Sequence, residues 1–284
     1  MSAVLVAVAL RCVDPRAAVH PLTGEVRAEA YAAGAGPADL CALEHALRIA
    51  EAFGGRCLAV TVGSVDAEGV LRDALAAGAH EALRVEGPDE DSAATARTLH
   101  TALAERGPLP DVVVCGDRSA DRGTGATPAH LAGLLGASQA LGLVELTPVD
   151  GHLKALRRLD GGRREVLSVP LPAVCSVERD TTTVRRAPLP AVLSSRTAHI
   201  DLATVAARGR EGTPVRTGRP RPYRPRARVL TPPEGDTPRA RLLTLTGAHT
   251  TPRTPPRLLT PDTAAQAAEA LLAFVRAEKS GDEG

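Results

Sequence analysis

Aromatic side chains are almost absent from this chain. Its 284 residues include two Tyr, two Phe, one Met and no Trp, so aromatic residues make up only 1% of the sequence. The apolar fraction is nevertheless 44%, which is enough for a large core. That core must therefore be built mainly from Leu, Val and Ala.

The chain also has almost no net charge, very few lysines and no long apolar run. The formal net charge is +1, which provides no basic field to attract nucleic acid or a membrane surface. Lys154 and Lys279 are the only lysines, so the arginines reflect a coding bias and say nothing about partners. No stretch reaches the ~20 apolar residues of a membrane span, and residues 1–11 lack the length and basic start of a secretory signal. We expect a cytoplasmic protein without membrane insertion.

Cysteine and histidine show no metal-binding spacing. No CxxC or HExxH motif occurs, and the eight histidines are scattered. Most of the cysteines lie in apolar runs, where a free thiol behaves as a small apolar side chain. We interpret as buried thiols, and not as redox or metal-binding groups, the five cysteines Cys12, Cys41, Cys57, Cys115 and Cys175.

Apolar runs alternate with helical patterns over the first 136 residues. Short runs with the character of buried strands lie at 3–10, 57–62, 81–85 and 111–115. Apolar stripes with helical spacing lie at 40–50, 71–78, 96–103 and 127–135. Such alternation indicates parallel strands joined by right-handed crossovers. The predicted fold class is α/β, with a doubly wound, mostly parallel sheet.

The pattern changes after residue 150. Residues 151–177 predict a strand, a turn at 160–162, a second strand and a further buried strand, because Asp-Gly-Gly is a good hairpin signal. Residues 178–199 are polar and irregular. We therefore expect an antiparallel hairpin added to the parallel sheet, within one α/β domain that comprises residues 1–210.

Residues 211–284 form a C-terminal arm in this prediction. Residues 213–238 are rich in Pro and Arg and should be extended. The run 239–247 predicts a strand, and Asp262 is placed to cap a final helix with an apolar face of Ala267, Leu271, Phe274 and Val275. One strand and one helix bury little by themselves, so we expect them to dock on another surface. The basic stretch holds a single aromatic ring, Tyr223, and is interpreted as an arm for a protein partner and not as a nucleic-acid site.

A polar, glycine-rich loop leaves the strand at 111–115. Gly123 and Gly125 permit close backbone approach, Thr124 and Thr127 offer hydroxyl groups, and the N-terminus of the following helix presents free N–H groups. Ligands of open α/β sheets bind beyond the carboxyl ends of strands, where the strand order reverses. The loop matches neither a Walker A nor a GxGxxG motif. On these residues alone there are two interpretations: a phosphate-binding loop, or a glycine-rich turn that binds no ligand.

Five stretches in order resemble the β subunit of electron transfer flavoproteins. They are VLVAVALRCVD (4–14), GPADLCALEHALRIAE (36–51), LRDALAAGAHEALRV (71–85), the strand and loop at 111–136, and the hairpin, LPAV strand and loop at 160–196. The order and spacing carry the resemblance more than any single motif. It implies an adenine-nucleotide α-hydrolase-like, Rossmann-like fold and an electron carrier subunit that is not an enzyme.

The resemblance also implies partners and cofactors. An α subunit would form a heterodimer with this chain and hold most of the redox-active FAD, while this subunit would bind AMP in a structural role. Leu189, in the loop 185–199, matches the residue that contacts acyl-CoA-type or other flavin-dependent dehydrogenases. Backbone groups of Ala7 and Val62 would face adenine and ribose, and Asp121 to Thr127 would hold the phosphate. The AMP residues implied position by position are Ala7, Gly36, Pro37, Ala38, Asp39, Val62, Gly116, Asp121, Gly123, Thr124, Gly125, Ala126 and Thr127.

Because this sequence departs from the family pattern at several positions, the resemblance does not decide which nucleotide the site binds. Gly36 stands where the family usually has Asn, Ala38 replaces an aromatic residue, and Arg122 and Gly123 replace acidic residues. AMP and the second FAD of electron-bifurcating relatives are therefore alternatives, and so is a non-redox nucleotide-binding protein. The Gly-Thr-Gly loop and the Arg-rich tail resemble an actinobacterial branch associated with mycofactocin, a peptide-derived redox cofactor. An ATP pyrophosphatase or adenylyltransferase would need an SGGxDS or HxGH motif, and neither occurs.

Overall fold

The computed structural model describes residues 4–27, 29–206, 221, 224, 232–233, 235–246 and 258–281. The chain divides into two units, Met1–Tyr223 and Arg224–Gly284, which are described separately below. The domain boundary predicted after Arg210 lies outside the described residues.

The described part of the first unit contains thirteen strands and five α-helices. The strands are β1 (Leu5–Ala9), β2 (Cys12–Val13), β3 (Ala18–Val19), β4 (Val26–Arg27), β5 (Gly34–Ala35), β6 (Arg56–Val62), β7 (Glu81–Glu86), β8 (Val112–Gly116), β9 (Ser138–Val149), β10 (His152–Arg158), β11 (Arg164–Pro170), β12 (Ala173–Val177) and β13 (Asp201–Thr204). The helices are α1 (Pro37–Ala52), α2 (Glu68–Ala77), α3 (Ser92–Arg106), α4 (Thr127–Leu135) and α5 (Leu189–Ser195).

Nine of these strands form one sheet in the order β11-β10-β9-β12-β8-β1-β6-β7-β13. The seven strands from β9 to β13 in that order pair in parallel, whereas β10 is antiparallel to both β9 and β11. From β1 the chain adds β6 and β7 on one side and then β8 on the other, so the strand order reverses between β1 and β8. The predicted doubly wound, mostly parallel sheet with an added hairpin is confirmed.

Helices cover both faces of the sheet. Because successive side chains of a strand point to opposite faces, Val6 and Val8 pack in a cluster with α1 and α2, and Ala7 packs in a second cluster with α3 and α4. The largest fully buried side chains are Leu, Ile and Val, as the scarcity of aromatic residues requires. The predicted composition of the core is therefore confirmed.

The cysteines of the first unit are free thiols. Cys41, Cys57, Cys115 and Cys175 are buried, as predicted, whereas Cys12 is only half-buried. Burial raises the pKa of Cys57 and of Cys175 to about 12, so both stay protonated at neutral pH.

The strands β9 and β13 and the helix α5 were not predicted, and neither were the two-residue strands β2, β3, β4 and β5. In β9, Gly142 has a φ of 65° and donates its N–H to Ser176 Oγ at 3.0 Å, where the pairing with β12 shifts register. This irregularity hides the strand pattern in the sequence. The helix α5 has Pro188 at its N-cap and Pro190 within its first turn, positions where proline is tolerated. Among the described strands, the short β13 pairs with β7 alone.

The second unit contains two described helices, α6 (Pro238–Leu245) and α7 (Ala264–Gly281). The strand predicted at 239–247 is wrong: Thr237 caps α6 by accepting the N–H of Ala240 at 3.2 Å, and short apolar runs do not distinguish a strand from a helix. The predicted cap of α7 is also displaced. Thr263 Oγ1, and not Asp262, accepts the N–H of Gln266 at 3.3 Å.

The apolar face predicted for the final helix is largely exposed in this unit. Leu271, Phe274 and Val275 are all more than half exposed, and docking of this helix on another surface stays a prediction. None of the described helices is long and apolar enough to cross a membrane.

Candidate functional site

A cleft opens at the carboxyl edge of the sheet, between the ends of β1 and β8. Its empty space is about 670 Å³, including the part that is open to solvent. Because the strand order reverses between these two strands, the cleft lies where open α/β sheets bind ligands. It is lined by Ala9, Leu10, Arg11, Asp39, Val62, Ser92, Thr95, Leu99, Cys115, Gly116, Asp117, Arg118, Ser119, Arg122, Thr124, Gly125, Thr127 and Pro128.

Asp39, in the first turn of α1, joins three segments around the cleft. Its carboxylate accepts the backbone N–H of Arg11 at 3.3 Å and the backbone N–H groups of Gly116 and Gly36. A Cβ at Gly116 would lie 2.5 Å from Asp39 Oδ1, so only glycine lets the end of β8 approach this carboxylate. The predicted site residues Gly36, Asp39 and Gly116 therefore belong to one hydrogen-bonded junction.

Burial raises the pKa of Asp39 from its ordinary 3.8 to about 6, although the N–H donors and Arg11 oppose the rise. Because its folded-state pKa exceeds its unfolded value, the folded chain holds more protons than the unfolded chain between about pH 4 and pH 6. Its contribution to the free energy of unfolding should therefore fall as pH rises through this window and stay low above it.

We predict that Asp39→Asn abolishes this pH dependence. A pKa rise from 3.8 to about 6 corresponds to roughly 3 kcal/mol. Between pH 4 and pH 7, wild type should therefore lose up to that amount of stability relative to the variant. Urea unfolding of both full-length proteins at each pH unit measures this difference. Parallel stability curves for the two proteins would contradict the prediction.

Ion pairs attach the glycine-rich loop to the end of β1. The Arg11 guanidinium contacts Asp121 Oδ2 at 2.7 Å through Nη2 and at 2.8 Å through Nε, and Asp89 Oδ2 at 3.5 Å through Nη1. Arg122 reaches the same Asp89 oxygen at 3.5 Å. Burial acts to raise the pKa of Asp121, but the hydrogen bonds from Arg11 and Ser119 outweigh it and hold this pKa at about 2. Asp121 is therefore an ionised anchor for the loop.

The loop then passes through a tight turn into α4. Gly123 and Gly125 both have a φ of 63°, a left-handed conformation that favours glycine. Thr124 Oγ1 lies 2.9 Å from Ser92 Oγ of α3. Ala126, at the N-cap of α4, provides no capping side chain, so the first N–H groups of the helix stay available to an anion.

Six of the predicted nucleotide residues line the cleft, and seven do not. Ala7 is fully buried at the centre of β1, and Ala9, two residues further on the same face, lines the cleft instead. The ligand roles of all thirteen residues stay predictions. Those that line the cleft are Asp39, Val62, Gly116, Thr124, Gly125 and Thr127, and those outside its lining are Ala7, Gly36, Pro37, Ala38, Asp121, Gly123 and Ala126.

That residues of α3 line the cleft was not predicted from the sequence. Ser92, Thr95 and Leu99 line the cleft, and Asp91 caps this helix by accepting the N–H of Ala94 at 2.8 Å. Asp91 and Ser92 follow the predicted end of the preceding strand, at residue 85, by six and seven residues. This pair is a helix-start signal that was available in the sequence. Among the described residues, no group of three or more His, Cys, Asp or Glu is arranged to hold a metal ion.

Leu189 lies away from the cleft, on the first residue of α5, and is 69% exposed. The side chain does not pack back on the sheet. Its contact with a dehydrogenase stays a prediction.

The fold and the cleft define an α/β protein with a cleft at the reversal point of a doubly wound sheet. Residues 26–211 match the Electron transfer flavoprotein domain family. Since this match covers more than half of the chain, the chain belongs to that family.

Curated relatives are similar over part of their length. Protein FixA of Rhizobium meliloti (strain 1021) is 31% identical over 177 residues, 59% of this chain and 60% of that protein. Protein FixA of Azorhizobium caulinodans is 30% identical over 64% of this chain and 68% of that protein. The electron transfer flavoprotein subunit beta of Dictyostelium discoideum is 30% identical over 59% of this chain and 67% of that protein. The chain thus spans about three-fifths to two-thirds of the length of these relatives.

Proposed function

We propose that this chain is the β subunit of a heterodimeric electron transfer flavoprotein. It carries electrons from flavin-dependent or mycofactocin-linked dehydrogenases to a downstream acceptor. The redox-active FAD is held mainly by an α subunit, and AMP occupies the cleft of this chain in a structural role. One observation supports the proposed nucleotide site most directly. The helix α4 has an N-terminus without a capping side chain, it follows a glycine-rich turn, and it lies where the strand order of the sheet reverses.

The chemistry of the cleft fits an adenosine monophosphate. The N-terminus of α4, together with the guanidinium groups of Arg118 and Arg122 in the lining, suits a phosphate because aligned N–H groups and cations both favour an anion. The apolar side chains of Val62 and Leu99 suit the faces of an adenine ring. Bound AMP supplies no redox chemistry here, and it stabilises the fold by binding only the folded state.

A second FAD in place of AMP is the alternative that one observation favours. A neighbouring cleft shares Arg11 and Val62 with the first, so a dinucleotide in the first cleft would extend into this second one. Its lining, however, carries four carboxylates, which repel a diphosphate. They are Asp14, Glu29, Asp66 and Asp89. We therefore favour AMP.

Nucleotide analysis of the heterodimer tests the proposal. The full chain is co-purified with its α subunit and denatured, and the released nucleotides are identified and counted by chromatography and mass spectrometry. One AMP and one FAD per heterodimer are expected. Two FAD without AMP would establish the dinucleotide alternative, AMP without flavin would establish a non-redox protein, and the absence of any adenine nucleotide from this subunit would refute the nucleotide site.

Two exposed surfaces support the proposed partners. Leu189 is available for contact with a dehydrogenase in the first unit. In the second unit, the exposed apolar face of α7 supports the docking of residues 211–284 on the α subunit, since such a face is stable in water only when something covers it.

A further inference from the structure

The helix α5 is too short to be stable by itself. It has seven residues, whereas isolated helices below roughly 12 residues are marginal in water. In its last turn, the carbonyl groups of Ala191 and Val192 accept hydrogen bonds from the hydroxyl groups of Ser194 and Ser195, each at 3.0 Å. Its order must therefore come from the body of the domain, and α5 packs against α2.

Arg72 of α2 binds the C-terminal end of α5. Its Nη1 donates to the carbonyl oxygens of Ser195 at 3.0 Å, Arg196 at 2.9 Å and Ala198 at 3.4 Å. Its Nη2 donates to Glu68 Oε2 at 3.0 Å, which holds the guanidinium in place. The Ser195 carbonyl oxygen also accepts the N–H of Ala198 at 3.3 Å. A charged donor on carbonyl groups at the end of a helix is among the stronger hydrogen-bond arrangements in proteins.

Arg185 binds the segment that leads into α5. Its backbone N–H and its Nε donate to Glu44 Oε2 at 3.0 Å and 2.9 Å, and its Nη1 donates to Glu51 Oε1 at 2.6 Å. Glu44 is 3% exposed, so Arg185 pairs with a buried carboxylate of α1. The segment is therefore tied to two different helices, one at each end.

Two leucines project between these ties. Leu189 and Leu193 are both more than half exposed, and their spacing of four residues places them on the same face of α5. An apolar pair held in one conformation loses little entropy when it docks.

We propose that Arg72 and Arg185 are positioning residues, which order α5 so that Leu189 and Leu193 are presented together to the partner protein. The identity of the partner as a dehydrogenase rests on the proposed function. The ordering of α5 by the two arginines does not, and it can be measured without any partner.

Hydrogen exchange of the full-length chain by itself tests the ordering. In Arg72→Gln, peptides that cover residues 189–199 should exchange at least tenfold faster, because they contain the amides of Val192, Thr197 and Ala198, which donate within this segment. The melting temperature and the exchange of other peptides should not change. Arg72→Lys, which keeps the charge and a single donor group, should recover part of the protection.

Arg157→Gln is the matched control, because it removes an arginine from an ion pair with Glu165 on the β10–β11 hairpin, and it should leave the α5 peptides unaffected. Unchanged exchange in Arg72→Gln would overturn the proposal. Faster exchange throughout the domain would overturn it as well, since Arg72 would then be a general support of the fold.

Kinetics test the consequence for docking. The probe is the purified flavin-dependent dehydrogenase that reduces the wild-type heterodimer. Arg72→Gln should raise the KM for the heterodimer about tenfold and leave kcat unchanged. If exchange is faster but only Leu189→Ala alters KM, the positioning role is refuted. If exchange is faster and neither variant alters KM, the ordering by Arg72 stands and the proposed contact of Leu189 with the dehydrogenase fails.

Discussion

Replacing Gly125 by Leu is expected to lower the affinity of the proposed nucleotide site for AMP at least about a hundredfold. A Cβ at this position would lie 2.6 Å from the carbonyl oxygen of Asp117, a distance that no side chain adopts. The turn must therefore move and carry Thr124 and the start of α4 with it. Loss of two hydrogen bonds to a charged phosphate costs roughly 3 to 6 kcal/mol, which is a hundredfold or more in affinity.

Gly123→Leu separates this steric effect from backbone strain. Gly123 has the same φ of 63° as Gly125, but a Cβ there would meet nothing within 4 Å. Both variants bear the left-handed strain, of about 1 to 2 kcal/mol, and only Gly125→Leu also clashes. AMP content per co-purified heterodimer, and AMP titration after removal of the bound nucleotide, measure the difference. Equal AMP content in Gly125→Leu and wild type would refute the phosphate site.

Leu189→Ala is expected to slow reduction of the heterodimer by its dehydrogenase at least tenfold, and to leave assembly and flavin content unchanged. Because the side chain is exposed in the free protein, its truncation should cost little stability. Burial of one leucine in a partner pocket contributes about 2 kcal/mol, which is more than the 1.4 kcal/mol of a tenfold change. The neighbouring Pro188 and Pro190 stiffen the backbone, so little entropy is lost on docking.

Leu202→Ala provides the control for Leu189→Ala. Leu202 is also more than half exposed but lies on the edge strand β13, so its truncation should leave the reduction rate unaffected. Stopped-flow measurement of flavin reduction compares the two variants with wild type. Loss of flavin or of the α subunit in Leu189→Ala would show that Leu189 is structural, and an unchanged rate would show that it is not a docking residue.

Most strands of the central sheet were predictable because each is a short apolar run that can be recognised from a few consecutive residues. The runs that became β1, β6, β7 and β8 are short, apolar and β-branched, and both faces of a central parallel sheet are covered, so such runs need no alternation. The strand β9 was missed because Gly142 interrupts it. The C-terminal run at 239–247 was wrongly predicted because neither its apolar content nor its length distinguishes a strand from a helix.

The cleft was predictable in place but not in detail. The glycine-rich loop after β8 and the alternation of strands and helices were sufficient to locate a site at a carboxyl edge. The surroundings of the side chains carried over by resemblance were not predictable: the Asp121 carboxylate pairs with Arg11, and Ala7 is fully buried at the centre of β1. Both outcomes depend on distances across the fold that no local pattern contains.

The sequence by itself determined the α/β class, the aromatic-poor core and the glycines at which the backbone turns, because propensity, apolar period and left-handed φ act within a few residues. Only the tertiary structure decided that Arg11 pairs with Asp121, that Asp39 joins the ends of β1 and β8, and that Arg72 binds the end of α5. The partners in these three contacts, Arg11 with Asp39, Arg11 with Asp121 and Arg72 with Arg196, are separated by 28, 110 and 124 residues in the sequence. They meet because the crossover connections set the order of the strands, and that order decides which loops share an edge of the sheet.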